Sequence, residues 1–180
     1  GMVSISADGR YVSFMTPADN VVDGDTNASK DVFVHDRLTG VTSLVSVSSA
    51  GIHASADASY SALSADGRFI AFVSNSDNLV DGDTNGAYDI FVHDRILGET
   101  ARVSVASDGR QGNDHSGFDY PSISADGRFV AFDSAASNLV AGDTNRYRDI
   151  FVHDRTTGET TRISVSSTGE QGNDHAYTPS

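Results

Sequence analysis

The chain has 180 residues, with 12 Lys and Arg against 25 Asp and Glu, a formal net charge of -13, and neither Cys nor Trp. So acidic a surface repels phosphate backbones and anionic lipid, which argues against nucleic acid and membrane insertion and suits cation binding. Without Cys there are no disulfides or thiolate metal sites, and no apolar run approaches the roughly 20 residues of a membrane-spanning helix.

In chain order, the first organised stretch is Ser6–Arg37, SADGRYVSFMTPADNVVDGDTNASKDVFVHDR. It recurs as Ser64–Arg95 and Ser124–Arg155, with steps of 58 residues from Asp8 to Asp66 and 60 from Asp66 to Asp126. A period of that length marks an array of supersecondary units, and the length lets three of them share one core. Each unit predicts four strands. In the second copy they are Tyr60–Ser64, Arg68–Ser74, Asp89–Asp94 and Glu99–Val105. Ala65-Asp66-Gly67 joins the first two as a tight turn in which Asp-Gly supplies the positive φ. Asp94-Arg95-Ile96-Leu97-Gly98 joins the last two as a type I turn closed by a left-handed Gly. Phe69–Val73 and Ile90–Val92 are apolar on both faces, as strands in face-to-face sheets are. Thr100–Val105 alternates and predicts the outermost strand. Helical periodicity is absent. Two connections are long, Asn75–Tyr88 and Ala106–Asp119. In an up-and-down meander both fall on one rim, with the short turns on the other. The long-loop rim is therefore the expected working face.

Ser-x-Asp-Gly-Arg-[Phe/Tyr]-[Ile/Val]-x-Phe, followed by a strand ending in Asp-x-x-Thr-Gly, resembles the WD40-like (PD40) repeat of TolB-type β-propellers. The matching residues are Ser64, Asp66, Gly67, Arg68, Phe69, Ile70 and Phe72, with their equivalents from Ser6 and Ser124. The later turn matches at Asp36, Thr39 and Gly40 and at Asp154, Thr157 and Gly158; Leu97 replaces the Thr in copy two. The resemblance covers nearly the whole chain. It implies an all-β fold, a single β-propeller over residues 1–180 with three four-stranded antiparallel blades at about 3–47, 60–105 and 120–165. Three blades do not close a ring, since propellers usually have 4–8. Tyr177-Thr178-Pro179-Ser180 matches Tyr120-Pro121-Ser122, where an innermost strand begins, and Val3-Ser4-Ile5-Ser6 matches its continuation. Residues 176–180 are thus expected to start the next innermost strand, and a homodimer to complete a six-bladed ring. A nine-bladed trimer and a fragment of a longer propeller are the alternatives. Gly1-Met2 reads as a remnant ahead of a fragment, so the lack of a leader excludes no compartment.

Asp81-Gly-Asp83-Thr-Asn85-x-x-x-Asp89 places carboxylate and amide oxygens at alternating positions of a tight loop. Copy one repeats it with Asp23, Asp25, Asn27 and Asp31. Hard oxygen donors so spaced suit Ca²⁺, with a backbone carbonyl at Ser29 or Ala87 and water completing the shell. The spacing resembles the calcium loops of integrin-type propeller blades. In copy three Ala141 replaces the first Asp, while Asp143, Asn145 and Asp149 remain, a weaker set. The competing reading is a hydrogen-bonded turn whose Asp and Asn cap loop amides.

His35-Asp36-Arg37, His93-Asp94-Arg95 and His153-Asp154-Arg155 suggest a general base beside a carboxylate. Neighbours on a strand point to opposite faces, however, so a structural His packed between blades is expected. Gln111-Gly112-Asn113-Asp114-His115 and Gln171-Gly172-Asn173-Asp174-His175 recur in the inter-blade loop, where copy one has His53-Ala54-Ser55-Ala56-Asp57. One His per loop is too few for zinc, and no nucleophile elbow, phosphate loop or dinucleotide fingerprint is present. The blades are near copies, whereas catalysis needs residues that differ between blades. The expectation is a non-catalytic binding or structural scaffold of a bacterial secreted, surface or periplasmic protein, with Ca²⁺ as cofactor and a protein, peptide or glycan as ligand. The alternatives are an accessory or catalytic propeller domain of a secreted hydrolase, and an excised or engineered fragment without its own ligand.

Overall fold

A computed structural model describes residues 3–179. Blade one consists of β1 Ser4–Ile5, β2 Tyr11–Thr16, β3 Asp31–Asp36 and β4 Val41–Leu44. Blade two consists of β5 Ala58–Leu63, β6 Phe69–Ser74, β7 Asp89–Asp94 and β8 Glu99–Arg102. Blade three consists of β9 Ser122–Ile123, β10 Phe129–Ser134, β11 Asp149–Asp154 and β12 Glu159–Arg162. Each blade is one antiparallel sheet whose strands lie in sequence order. Among the described residues there is no helix, hence none long and apolar enough to cross a membrane.

Two strand boundaries depart from the sequence expectation by more than one residue. The fourth strand of blade two ends at Arg102 rather than Val105. Val103 N–H still donates to the Ile90 carbonyl at 2.8 Å, but the Ser104 hydroxyl then turns to the Asp89 carboxylate. Val105 returns only as an isolated bridge to Gln111. The first strand begins at Ala58 and carries a bulge between Ser59 and Ala62. There Tyr60 adopts a φ of 50°, a costly left-handed conformation for an aromatic residue, and its ring meets Tyr120 with centroids 4.6 Å apart. Bulges re-aim side chains, and this one sets an aromatic pair where the innermost strands of two blades meet.

The core lies between blades. Val32, Val34 and Val45 of blade one pack with Ile70, Phe72, Leu79 and Phe91 of blade two. Val73, Ile90, Val92 and Val103 of blade two pack in the same way with Val130, Phe132, Leu139 and Phe151 of blade three. The both-face apolarity of β6 and β7 follows from this stacking, because a middle blade has no solvent face. Each such side chain contributes about 1.5–3 kcal/mol when fully buried. The short-turn rim is tied as tightly. Asp66 accepts hydrogen bonds from the Ser64 hydroxyl at 2.6 Å and the Arg68 amide at 2.9 Å. Gly67, at φ +68°, lies so close to blade one that a Cβ would sit 2.3 Å from the Tyr11 ring.

Candidate functional site

One junction occurs twice in the chain, with the same chemistry each time. Ala7 N–H donates to the Ala65 carbonyl at 2.8 Å, and Ala65 N–H to the Ala125 carbonyl at 3.0 Å. The Arg95 guanidinium of blade two covers the Tyr11 ring of blade one, and Arg155 of blade three covers Phe69 of blade two. Thr100 donates its hydroxyl to the Val47 carbonyl and its amide N–H to the Ser49 hydroxyl oxygen. Thr160 does the same with Val105 and Ser107.

Each half of this junction also stands open once. On blade three, Phe129 has Arg128 on one side of its ring, and among the described residues no arginine of a following blade on the other. Ile163 and Val165 are 53% and 40% exposed, whereas Val45 and Val103, the counterparts of Ile163, are buried. On blade one, Val12, Phe14 and Val21 are only half-buried, where Ile70, Phe72 and Leu79 are fully buried. Among the described residues no strand pairs with Met15 and Thr16 on their inner edge, the register positions at which β5 covers Val73 and Ser74.

The Asp-rich loops separate into two kinds. In all three, the Asn is a turn residue. Asn27, Asn85 and Asn145 each accept the amide of the residue two further on. Their side-chain N–H groups donate to Asp31, Asp89 and Asp149 at 2.8, 2.9 and 3.0 Å. In blade two, the Arg102 guanidinium lies 2.9 Å from Asp83 Oδ1 and 3.3 Å from Asp89 Oδ2. In blade three, Arg162 lies 3.2 Å from Asp143 Oδ1 and 3.3 Å from Asp149 Oδ2. These loops therefore already hold a cation, and it is a guanidinium. Blade one has Leu44 at that register position, opposite Phe33 as Arg102 is opposite Phe91. There Asp25 is 6% exposed, and its Oδ1 is buried without a hydrogen-bond partner. Asp31 accepts Ser46 at 2.6 Å and Asn27 at 2.8 Å, and burial pushes its carboxyl up from the usual range. The first Asp of the motif, Asp23 or Asp81, is exposed at the loop edge. Among the described residues no group of three or more His, Asp and Glu side chains is arranged to hold a metal.

The strand histidines are structural. His93 and His153 pair through Nδ1 with Thr100 and Thr160 at 2.9 and 2.8 Å. Each Thr spends its one proton on a carbonyl of the preceding blade, so Nδ1 must carry the hydrogen. The adjacent Asp94 turns away and takes Arg68 in a bidentate pair at 2.9 and 2.6 Å. The inter-blade histidines also serve the fold. His115 and His175 accept the amides of Tyr88 and Arg148. Asp57, at the same place in copy one, accepts the amide of Lys30 at 3.0 Å.

Two features escaped the sequence reading because they lie where the copies differ. A cavity of about 380 Å³ between blades one and two is lined by Lys30, Tyr60, Tyr88, His115 and Phe118, among others. In blade three, Asp133 takes the place of Met15 and Val73. It is fully buried, accepts the Asp119 amide at 3.0 Å and lies 3.4 Å from Arg148. Burial raises its carboxyl above the usual range. Arg148 in turn is sandwiched between Phe118 and Tyr177. The signal lay in the sequence as the Lys30, Tyr88, Arg148 series, a variable position amid constant neighbours.

Sheets grouped by fours and stacked face to face define a β-propeller. No family model matches the sequence, and no curated protein does. Solved structures do match. TolB from Acinetobacter baumannii aligns over 95% of this chain at 20% identity, with a TM-score of 0.55. The putative TolB from Agrobacterium tumefaciens aligns over 91% at 16% identity, with a TM-score of 0.57. The β-propeller domain of the Trilobed protease from Pyrococcus furiosus aligns over 89% at 13% identity, with a TM-score of 0.54. The fold is that of TolB-type β-propellers. The chain spans 34% and 45% of the lengths of the two TolB structures.

Proposed function

We propose that this chain is a non-catalytic propeller module, and that a second copy completes it as a six-bladed ring. The observation that supports this is the matched pair of open half-junctions. Blade three offers Phe129, the Ala125 amide, the Val165 carbonyl and the Ser167 hydroxyl. Blade one offers Arg37, the Ala7 carbonyl and Thr42, the partners these groups have at both junctions inside the chain. A two-fold axis uses both half-junctions of both copies and leaves none over, as closed symmetry requires. The resulting module presents its long loops on one rim, and a protein, peptide or glycan at that rim is the ligand class in keeping with a scaffold role. The TolB-like fold and the acidic surface favour a bacterial periplasmic or extracellular setting. Calcium belongs to this reading at blade one alone, since the other two loops hold a guanidinium.

Size-exclusion chromatography with light scattering tests the ring. Twice the 18.9 kDa chain mass is expected. Ile163→Glu places a charge in the proposed junction and should return the species to one chain mass, while monomer stability changes by no more than about 0.5 kcal/mol, as for a surface position. A wild type that stays at one chain mass refutes the six-bladed ring, and three chain masses replaces it with nine blades.

A further inference from the structure

The structure assigns to blade one a binding site for a hydrated divalent cation, formed by Asp25 and Asp31 where blades two and three carry an arginine. This rests on the calcium reading above and narrows it to one pair of carboxylates. Three similar loops belong to blades that differ at the register position held by Leu44, Arg102 and Arg162. In two of them a carboxylate pair, Asp83 with Asp89 and Asp143 with Asp149, shares one guanidinium. Like charges held this close in a buried place need a countercharge. Blade one keeps both carboxylates and the whole supporting set. Asn27 and Ser46 hold Asp31 as Asn85 and Ser104 hold Asp89. Only the cation is gone, replaced by Leu44.

The atom that lost its partner can be named. Oδ1 of Asp83 and Oδ1 of Asp143 are the atoms that meet the arginines. Oδ1 of Asp25 is buried and unpartnered. Its residue is more than nine-tenths buried, so bulk water does not solvate it freely. Asp31 Oδ2 corresponds to the second atom that meets arginine.

Three things can neutralise such a pair. The first is a proton shared between the carboxylates. The second is a charged imidazole at His53, which stands at the place of Gln111 and Gln171, and Gln171 itself accepts from Arg162 at 3.1 Å. The third is a metal. The donors are carboxylate oxygens, which suit hard cations. Two protein carboxylates with water filling the remaining positions is an arrangement that Mg²⁺ and Ca²⁺ both accept, at the weak end of the affinity range. The Lys30 ammonium is engaged elsewhere, 3.3 Å from Asp57.

Leu44→Arg supplies the missing cation in the form that blades two and three use. The test is thermal melting of the chain with CaCl₂ or MgCl₂ at about 10 mM, on the order of tenfold above a millimolar dissociation constant. Wild type should melt about 3–5 °C higher with metal than with chelator. Leu44→Arg should melt higher than wild type in chelator and lose the response. Asp25→Asn should also lose it, and His53→Gln should keep it. Three outcomes overturn the site: no rise for wild type with either metal, an equal rise for wild type and Asp25→Asn, or a response abolished by His53→Gln alone. None of them bears on the ring, whose measure is mass; a dimer without a metal response leaves the scaffold reading in place, and a responding monomer leaves the cation site.

Discussion

Blade one and blade two follow one pattern, with strands two, three and four in the same register, yet they live in different surroundings. Blade two is covered on both faces, and every residue of β7 is buried. Blade one is covered on one, and its β2 is half-buried at Tyr11, Val12, Phe14, Met15 and Thr16. In the loop after the second strand, blade two balances Asp83 and Asp89 with Arg102, whereas blade one leaves Asp25 and Asp31 without a fixed cation. The lesson is that a blade is a fold unit that depends on its neighbours. The same apolar strand is core in one position and interface in another, and the same acidic loop is a closed ion cluster in one and an open site in the other.

The largest expected effect comes from making blade two like blade one. Arg102→Leu leaves Asp83 and Asp89 buried without a countercharge, and Leu44 shows that this backbone position accepts Leu. Removing one partner of a buried ion pair costs about 3–5 kcal/mol. Urea unfolding should show that loss in chelator, and millimolar calcium should recover part of it; a change below about 1 kcal/mol would mean that the arginine does not hold the loop together.

A smaller effect separates the covered turn from the open one. Gly67 and Gly9 have nearly equal φ, +68° and +71°. A Cβ at Gly67 meets the Tyr11 ring at 2.3 Å, while one at Gly9 meets nothing nearer than Arg37 at 3.7 Å. In the monomeric Ile163→Glu background both alanine variants carry the left-handed penalty of about 1–2 kcal/mol, and Gly67→Ala should lose about 1–3 kcal/mol more from overpacking. In the proposed ring Phe129 of the second copy lies against Gly9 as Tyr11 lies against Gly67, so there Gly9→Ala should cost the dimer as much as Gly67→Ala costs the chain, and a smaller cost would count against the ring.

The acid response should be the gentlest distinction. Burial holds the His93 and His153 imidazoles below 6.5. A group with a depressed folded pKa adds stability that is full above its unfolded value and is lost as pH falls through the folded one. Blades two and three should therefore begin to weaken below pH 6.5. The Arg10, Arg68 and Arg128 side chains donate to Asp36, Asp94 and Asp154 and hold these carboxyls below the ordinary 3.8. Their contribution has the same sign, is complete above that value, and disappears in stronger acid. Urea midpoints at about pH 7.5, 5 and 3 should fall in two stages, and His93→Gln should blunt the first; a flat profile between the upper two would show that the imidazole charges without cost.

Much of the architecture was legible because it is local. Asp-Gly turns, Gly after Asp-x-x-Thr, and strands apolar on both faces announce four-stranded units whatever surrounds them. The separation of His from its neighbouring Asp was readable too, since alternation along a strand sends them to opposite faces. The bulge at Tyr60, the early end of β8 at Arg102 and the buried Asp133 were not, because each depends on a contact with a segment far along the chain or in another blade.

The sequence alone determined that this chain is a repeat of β-meanders with acidic loops, because turn chemistry and side-chain alternation act within a few residues. Tertiary structure decided which of three similar loops is short of a cation and which apolar faces lack a neighbour. The physical reason is distance: Arg102 reaches Asp83 and Asp89 across the blade, Leu44 cannot, and only the folded sheet brings those positions together.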